Sequence, residues 1–267
     1  MGVWQSYRLR LQRKRWLIRA RRKGRELTPA VNRTDAIKTR DILVFSTFRN
    51  EAPRLPYFLK YYRDLGVNHF LMVDNDSDDG GAEFLREQPD VSLWSTKSSY
   101  KRARFGVDWL NHLQRKYAHG HWTLVVDPDE LLVYPFCDTR PLHALTDWLD
   151  ASSIKSFGAM LVDMYPKGPV DNIPYKPGDD PLNSTHWFDS GNYVINRNRK
   201  FGNLWIQGGP RACVKQDTAG EVEPRVCLCQ LDPHAVAAWF EPCLRRMGWR
   251  KGIGCFVAHQ VSVDLHR

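Results

Sequence analysis

Asp127-Pro128-Asp129-Glu130 places three carboxylates directly after WTLVV, a short apolar run. Two carboxylates one residue apart, on the loop leaving a buried strand, can face one divalent cation, and such hard oxygen donors suit Mg²⁺ or Mn²⁺. A cation held there would also bind phosphate oxygens. It would neutralise the charge that a diphosphate gains as it departs, for example when a sugar leaves a nucleotide diphosphate. Aspartates are common in surface turns, so it is the position after the apolar run that singles out Asp127 and Asp129, not D-x-D itself.

A second acidic cluster, Asp74-Asn75-Asp76-Ser77-Asp78-Asp79-Gly80-Gly81, follows HFLMV. Asn, Asp, Ser and Gly are the residues that tight turns select, and Ser77 to Gly81 read equally well as a polar turn. Asp74 and Asp76 differ in leaving a strand where a carboxylate can accept hydrogen bonds from a base N–H or a ribose hydroxyl. Glu51, after the apolar run ILVFSTF at 42–48, has the same opportunity, with capping of the next helix as its structural alternative.

The elements that would carry these clusters are legible from periodicity. ILVFSTF lacks polar alternation, as expected for a strand covered on both faces of a parallel sheet. Leu55, Phe58, Leu59, Tyr62 and Leu65 then fall on one helical face, with Pro53 and Pro56 near its start and Gly66 at its end. Strands are expected at 69–74, 91–95 and 122–127, with a helix between the last two in which Phe105, Trp109, Leu113 and Tyr117 recur every four residues. This alternation defines an α/β fold with an open, mostly parallel sheet flanked by helices. Ligands in such sheets collect beyond the carboxyl ends of the strands, where all three acidic clusters lie.

Net charge is +9, but residues 1–40 hold 13 Lys and Arg against Glu26 and Asp35, leaving 26 basic and 28 acidic residues in 41–267. The basic character belongs to the N-terminal stretch, and a near-neutral body argues against nucleic acid as the partner. Residues 4–25, WQSYRLRLQRKRWLIRARRKGR, read as a basic arm with two alternatives: a helix on an anionic membrane surface, or a solvated tail. No apolar run approaches the length that spans a bilayer, and the basic start lacks a signal peptide's apolar stretch. The expected location is cytoplasmic, peripheral on the inner face of the plasma membrane. The six cysteines, at 137, 213, 227, 229, 243 and 255, form no C-x-x-C pair and read as reduced thiols.

The blocks FSTFRNEAPRLPYFLKYYRDLGVNHFLMVDNDSDDG at 45–80 and WTLVVDPDELLVYP at 122–135, with the later DMYPKG and GNLWIQGGPR, resemble family-2-like glycosyltransferases of the GT-A fold. The resemblance covers 42–212 and divides the chain into a basic N-terminal arm (1–40), a GT-A-like glycosyltransferase domain (41–212) and an atypical C-terminal extension (213–267). It implies a nucleotide-sugar donor, with Glu51 and Asp76 near the nucleoside and Asp127 and Asp129 near metal and diphosphate; Asp74, from its place at the strand end, is a further donor-binding candidate. Mn²⁺ or Mg²⁺ would be the cofactor. The acceptor, a glycan or glycolipid in surface-polysaccharide assembly, would be met by residues 156–212, with Trp187 stacking on a sugar face and Arg211 beside the diphosphate. An inverting transfer needs a general base, for which Asp189 comes first and Glu130 second; Asp163, Glu221 and Glu223 stay open. Related enzymes add a metal-binding histidine from the C-terminal half, for which His186, His234 and His259 are the candidates.

The resemblance stops after Arg211, and five of the six cysteines fall between 213 and 255. This shift has two readings, a lineage-specific acceptor subdomain or a reading-frame change that replaced the usual ending; the second would put activity in doubt. Two rival functions stand beside glycosyl transfer. Nucleotidyl transfer shares the metal logic but calls for a glycine-rich phosphate loop that FSTFRNEAP lacks. The other is a noncatalytic membrane- or RNA-binding protein recruited by the basic arm.

Overall fold

The computed structural model of the chain describes residues 3–154, 156–157, 159–166, 175–189, 193–197, 204–207, 228–230 and 255–260. The chain divides into two compact units, Met1–Pro128 with Pro141–Trp148, and Asp129–Arg140 with Leu149–Arg267.

The first unit runs α1 (Val3–Lys23), β1 (Thr28–Val31), β2 (Leu43–Phe48), α2 (Leu55–Asp64), β3 (His69–Asp74), α3 (Gly81–Arg86), β4 (Val91–Ser95), α4 (Val107–Tyr117) and β5 (Thr123–Val125). Its sheet has the order β1-β4-β3-β2-β5, with β4, β3, β2 and β5 parallel and β1 antiparallel at the edge. Every residue of β2 and β3 is buried, which is why their sequences show no alternation. Leu55, Phe58, Leu59 and Tyr62 of α2 are buried as their spacing predicts. Leu43, Phe45, Leu71, Val73, Trp94, Trp109, Leu110 and Leu113 form a continuous core between sheet and α4. Trp109 is fully buried, and its truncation to alanine would cost about 3–5 kcal/mol.

Three expectations change. Residues 1–40 are not a free basic arm. The strand Thr28–Val31 pairs with β4, its Pro29 taking an edge position where no ladder N–H is required. The C-terminal half of α1 is held on α4: Ala20 is fully buried, Arg19 Nε donates to Asp108 Oδ2 at 2.7 Å, and the Arg104 guanidinium lies 3.6 Å over the Trp16 ring. At the end of α1, a Cβ on Gly24 would fall 2.2 Å from His112 Nδ1, so the close approach to α4 requires glycine there. Just beyond, the Glu26 carboxylate accepts from Trp109 Nε1 at 3.0 Å and from Lys23 Nζ at 2.6 Å. Burial alone would raise the Glu26 carboxyl, but these hydrogen bonds hold it below its ordinary value.

Second, Phe105 lies outside the helix that its spacing suggested, exposed and with φ 55°, because Gly106 at φ 76° turns the chain into α4. A Cβ at Gly106 would sit 2.8 Å from Thr47 Cγ2, so packing and dihedral both select glycine. Third, the expected strand at 122–127 is only Thr123–Val125.

The second unit contains β6 (Glu130–Val133), β7 (Ala159–Tyr165), α6 (Pro181–Ser184), β8 (Trp187–Asp189), β9 (Val194–Arg197), β10 (Leu204–Gln207), β11 (Leu228–Gln230) and β12 (Cys255–Gln260). The helix α5 (Leu142–Ala151) starts in the first unit and ends in the second. Five strands form a sheet ordered β11-β8-β7-β12-β6, and β9 and β10 form an antiparallel pair. The described parts of 213–267 thus enter the sheet of the second unit.

Candidate functional site

The carboxyl ends of β2, β3 and β4 are joined by hydrogen bonds between their loops. Asp74, buried at the end of β3, accepts from Ser77 N at 3.0 Å, closing a turn in which Asp76 sits in the left-handed region at φ 61°. Asn50 N donates to Ser77 Oγ at 3.0 Å and Asp78 N donates to Asn50 Oδ1 at 3.0 Å, so the loop after β2 is locked to the loop after β3. Asp79 adds a second tie, accepting from Ala52 N at 2.6 Å and from Gly81 N at 3.0 Å. Asn75 is buried and donates to the carbonyls of Thr96 and Ser98, both at 3.0 Å, bringing in the loop after β4.

Glu51 forms an ion pair with Arg54, and its carbonyl accepts from the amides of Arg54 and Leu55 at 2.9 and 3.2 Å. The residue therefore closes the turn that leads into α2, while its side chain stays part-exposed at the same rim. Asp76 is exposed, with Lys97 Nζ 3.3 Å from its Oδ1. A cation, carboxylates and turn amides thus share one edge of the first unit.

The parallel strands run in the order β4-β3-β2-β5, so the direction of winding reverses between β2 and β5. Such a switch point opens a crevice outside the strand ends, and here it is flanked by the loop carrying Glu51 and the loop carrying Asp127. Asp127 is exposed after β5. The chain passes into the second unit between Pro128 and Asp129. Among the described residues, no group of three or more His, Cys, Asp or Glu gathers to hold a metal.

In the second unit, the β7–β8 ladder pairs Met164 with Phe188 and Tyr165 with Trp187, and runs on toward Asp163 and Asp189. Both carboxylates are buried. The Tyr165 hydroxyl donates to Asp189 Oδ1, and the Tyr193 phenol is pushed up to about 12 by burial and by the charges of Asp189 and Asp163. Trp187 is half-buried with its ring centroid 5.7 Å from that of His186. Glu130 opens β6, and the backbone register of β12 sets His259 opposite Glu130 on one side and Asp163 on the other. Arg211, Glu221, Glu223 and His234 lie outside the described residues.

The sequence reading passed over Asn50, Asn75, Asp79 and Lys97. Asn50 and Asp79 were hidden by the ordinary turn composition around them, although the spacing of acceptor side chains after two successive strands was the available clue. Lys97 follows a strand with no acidic cluster of its own, and nothing local marks it.

The first unit is thus an α/β unit whose acidic and polar loops gather at one strand edge, at a switch point. Comparison with known proteins narrows this. The chain is similar to a glycosyltransferase family 92 protein of Oryza sativa subsp. japonica, 27% identical over 118 residues, which cover 41% of this chain and 19% of the relative. The match thus spans less than a fifth of that relative's length. No protein-family model matches the chain. The similarity supports a glycosyltransferase; it lies with family 92, and does not support the family-2-like, D-x-D assignment that the sequence blocks suggested.

Proposed function

We propose that the protein transfers a sugar from a nucleotide-sugar donor to a glycan or glycolipid acceptor, in surface-polysaccharide assembly. The observation that carries this reading is the reversal of strand order between β2 and β5, with Glu51 and Asp127 on the two loops that flank it. The similarity to a family 92 glycosyltransferase supports the reaction class.

In this reading the first unit takes the donor. Glu51 and Asp76 accept hydrogen bonds from the base and ribose, while Asp74, Asn75 and Asp79 hold the loops that present them. The D-x-D motif as a sequence unit offers Asp127 and Asp129 to Mn²⁺ or Mg²⁺, and its hard oxygen donors fit either ion. An ion held by these residues would supply charge stabilisation to a leaving diphosphate. In the second unit Asp189 receives the acceptor hydroxyl proton. Tyr165 donates a hydrogen bond that fixes the carboxylate's direction, and the raised phenol of Tyr193 stays protonated across the working range.

The test is donor hydrolysis and transfer by Asp127→Asn and Asp129→Asn, each across a Mn²⁺ titration with a panel of nucleotide-sugars. Each variant should keep its circular dichroism and lose on the order of 10²-fold or more in metal-dependent turnover. Wild-type turnover in both variants at saturating donor would overturn the assignment.

A further inference from the structure

The docking of α1 sorts its side chains into two faces. Toward the body point Ala20, Trp16 beneath Arg104, Arg19 on Asp108 and Lys23 on Glu26. At 100° per residue, Trp4, Tyr7, Leu11 and Ile18 fall on the opposite side within an arc of about 60°. These four are 78, 55, 43 and 55% exposed, and Trp4 and Tyr7 meet edge to face with centroids 6.3 Å apart. Arg8, Arg15 and Arg22 line one side of this stripe, and Arg10, Lys14 and Arg21 the other; all six are exposed. No acidic residue occurs in the helix.

We infer that this outward face of α1 is a docking surface for an anionic lipid bilayer. The chemistry selects that occupant. An apolar stripe with aromatic residues enters the boundary between headgroups and acyl chains, while the flanking guanidinium and ammonium groups remain level with the lipid phosphates. The charge complementarity is one-signed along both flanks, as an anionic surface requires. A nucleic acid would satisfy the cations but leave the contiguous stripe in water. Attachment is peripheral: among the described residues no helix is long and apolar enough to cross a membrane.

The inner face gives this contact a consequence that a flexible basic tail would lack. Because Arg19, Trp16, Ala20 and Gly24 fix the helix to α4, the first unit is held at the surface in one orientation. The geometry also separates the aromatic residues of the helix: Trp16 packs beneath Arg104, whereas Trp4 and Tyr7 lie on the outward stripe. Deleting residues 1–40 is a poor test, since it removes β1 from the sheet and uncovers Trp109.

The experiment therefore uses the full chain and point substitutions. Cosedimentation is measured with phosphatidylcholine vesicles and with vesicles containing 30% phosphatidylserine, the mixture giving a surface of the strongly anionic kind. Wild type should partition at least tenfold more strongly onto the anionic vesicles. Trp4→Ser/Leu11→Ser/Ile18→Ser should lose at least tenfold of that binding with an unchanged melting temperature, because the three side chains are exposed. Arg8→Gln/Arg10→Gln/Lys14→Gln/Arg15→Gln should abolish the preference for anionic lipid. Added salt should weaken wild-type binding and leave a remainder that the stripe variant lacks. Equal binding of the stripe variant and wild type would overturn the inference. So would equal binding to both vesicles, no vesicle binding, RNA binding without vesicle binding, or a stripe-dependent dimer that ignores lipid.

Discussion

Asp189 is the residue proposed above as the general base. Its carboxylate is buried, carries a hydrogen bond from Tyr165, and lies close enough to Tyr193 to help push that phenol up to about 12. Asp163 acts on the same phenol, so two buried carboxylates lie in one neighbourhood. Asp189→Asn keeps the volume and an acceptor for Tyr165 but removes the proton-accepting group. It should lower kcat for transfer by about 10²–10⁴-fold while leaving nucleotide diphosphate affinity within a factor of two of wild type. Tyr165→Phe, which only frees the carboxylate to rotate, should cost less. Single-turnover transfer and calorimetry on the same preparations decide: wild-type kcat in Asp189→Asn removes the residue from the chemistry and leaves Asp163 or Glu130 to be tested in its place.

At the scale of elements, the three strand-end loops behave as one object because Asn75 and its neighbours tie them together. Asn75 gives both amide hydrogens to carbonyls of the third loop, at 3.0 Å each. Asn75→Ala leaves the buried Thr96 carbonyl and the part-buried Ser98 carbonyl without those donors, at a cost of about 1–3 kcal/mol. Asn75→Asp keeps the shape but points carboxylate oxygen at the same carbonyls, so urea midpoints should rank wild type above alanine above aspartate. An aspartate variant as stable as the alanine one would show that the tie contributes little. The contrast with the sequence reading is physical. Strands β2, β3 and β4 and helix α2 were legible because burial on two faces, or on one stripe, imposes a pattern on consecutive residues. The ties were not, because Asn50 with Asp78 and Asn75 with Ser98 are contacts between loops, and each partner taken alone looks like turn composition. Phe105 was misplaced for a related reason: its spacing continued the helical repeat, yet Gly106 had already turned the chain. The carboxylates at the strand ends were legible as a set; that Asp74 closes a turn while Asp76 faces solvent was not.

For the molecule as a whole, the basic N-terminal stretch is part of the first unit, and its stability is linked to pH through groups buried around the sheet and α4. His69 is buried in β3 with Nε2 2.9 Å from Ser92 Oγ, and burial holds its imidazole below the ordinary value, Arg33 adding to this while Asp90 and Asp41 oppose it. His112 of α4 is lowered in the same direction by burial and by Lys116 and Arg115. A histidine lowered in the folded state is neutral there, while the unfolded chain binds a proton below about pH 6.5. The stabilisation is therefore complete above about pH 6.5 and is lost as pH falls toward the lowered folded values. Glu26, held below its ordinary value, adds a further loss in the acid range below about pH 4.5. Each of the two imidazoles changes the unfolding free energy by at most about 1.4 kcal/mol per pH unit. Urea midpoints at pH 5, 6, 7 and 8 should thus fall toward acid. His69→Gln, which can still bond Ser92 but does not titrate, isolates one contribution: the gap between wild type and variant should narrow from pH 7 to pH 5. Parallel profiles would mean that His69 takes up its proton as readily in the folded sheet as in the unfolded chain.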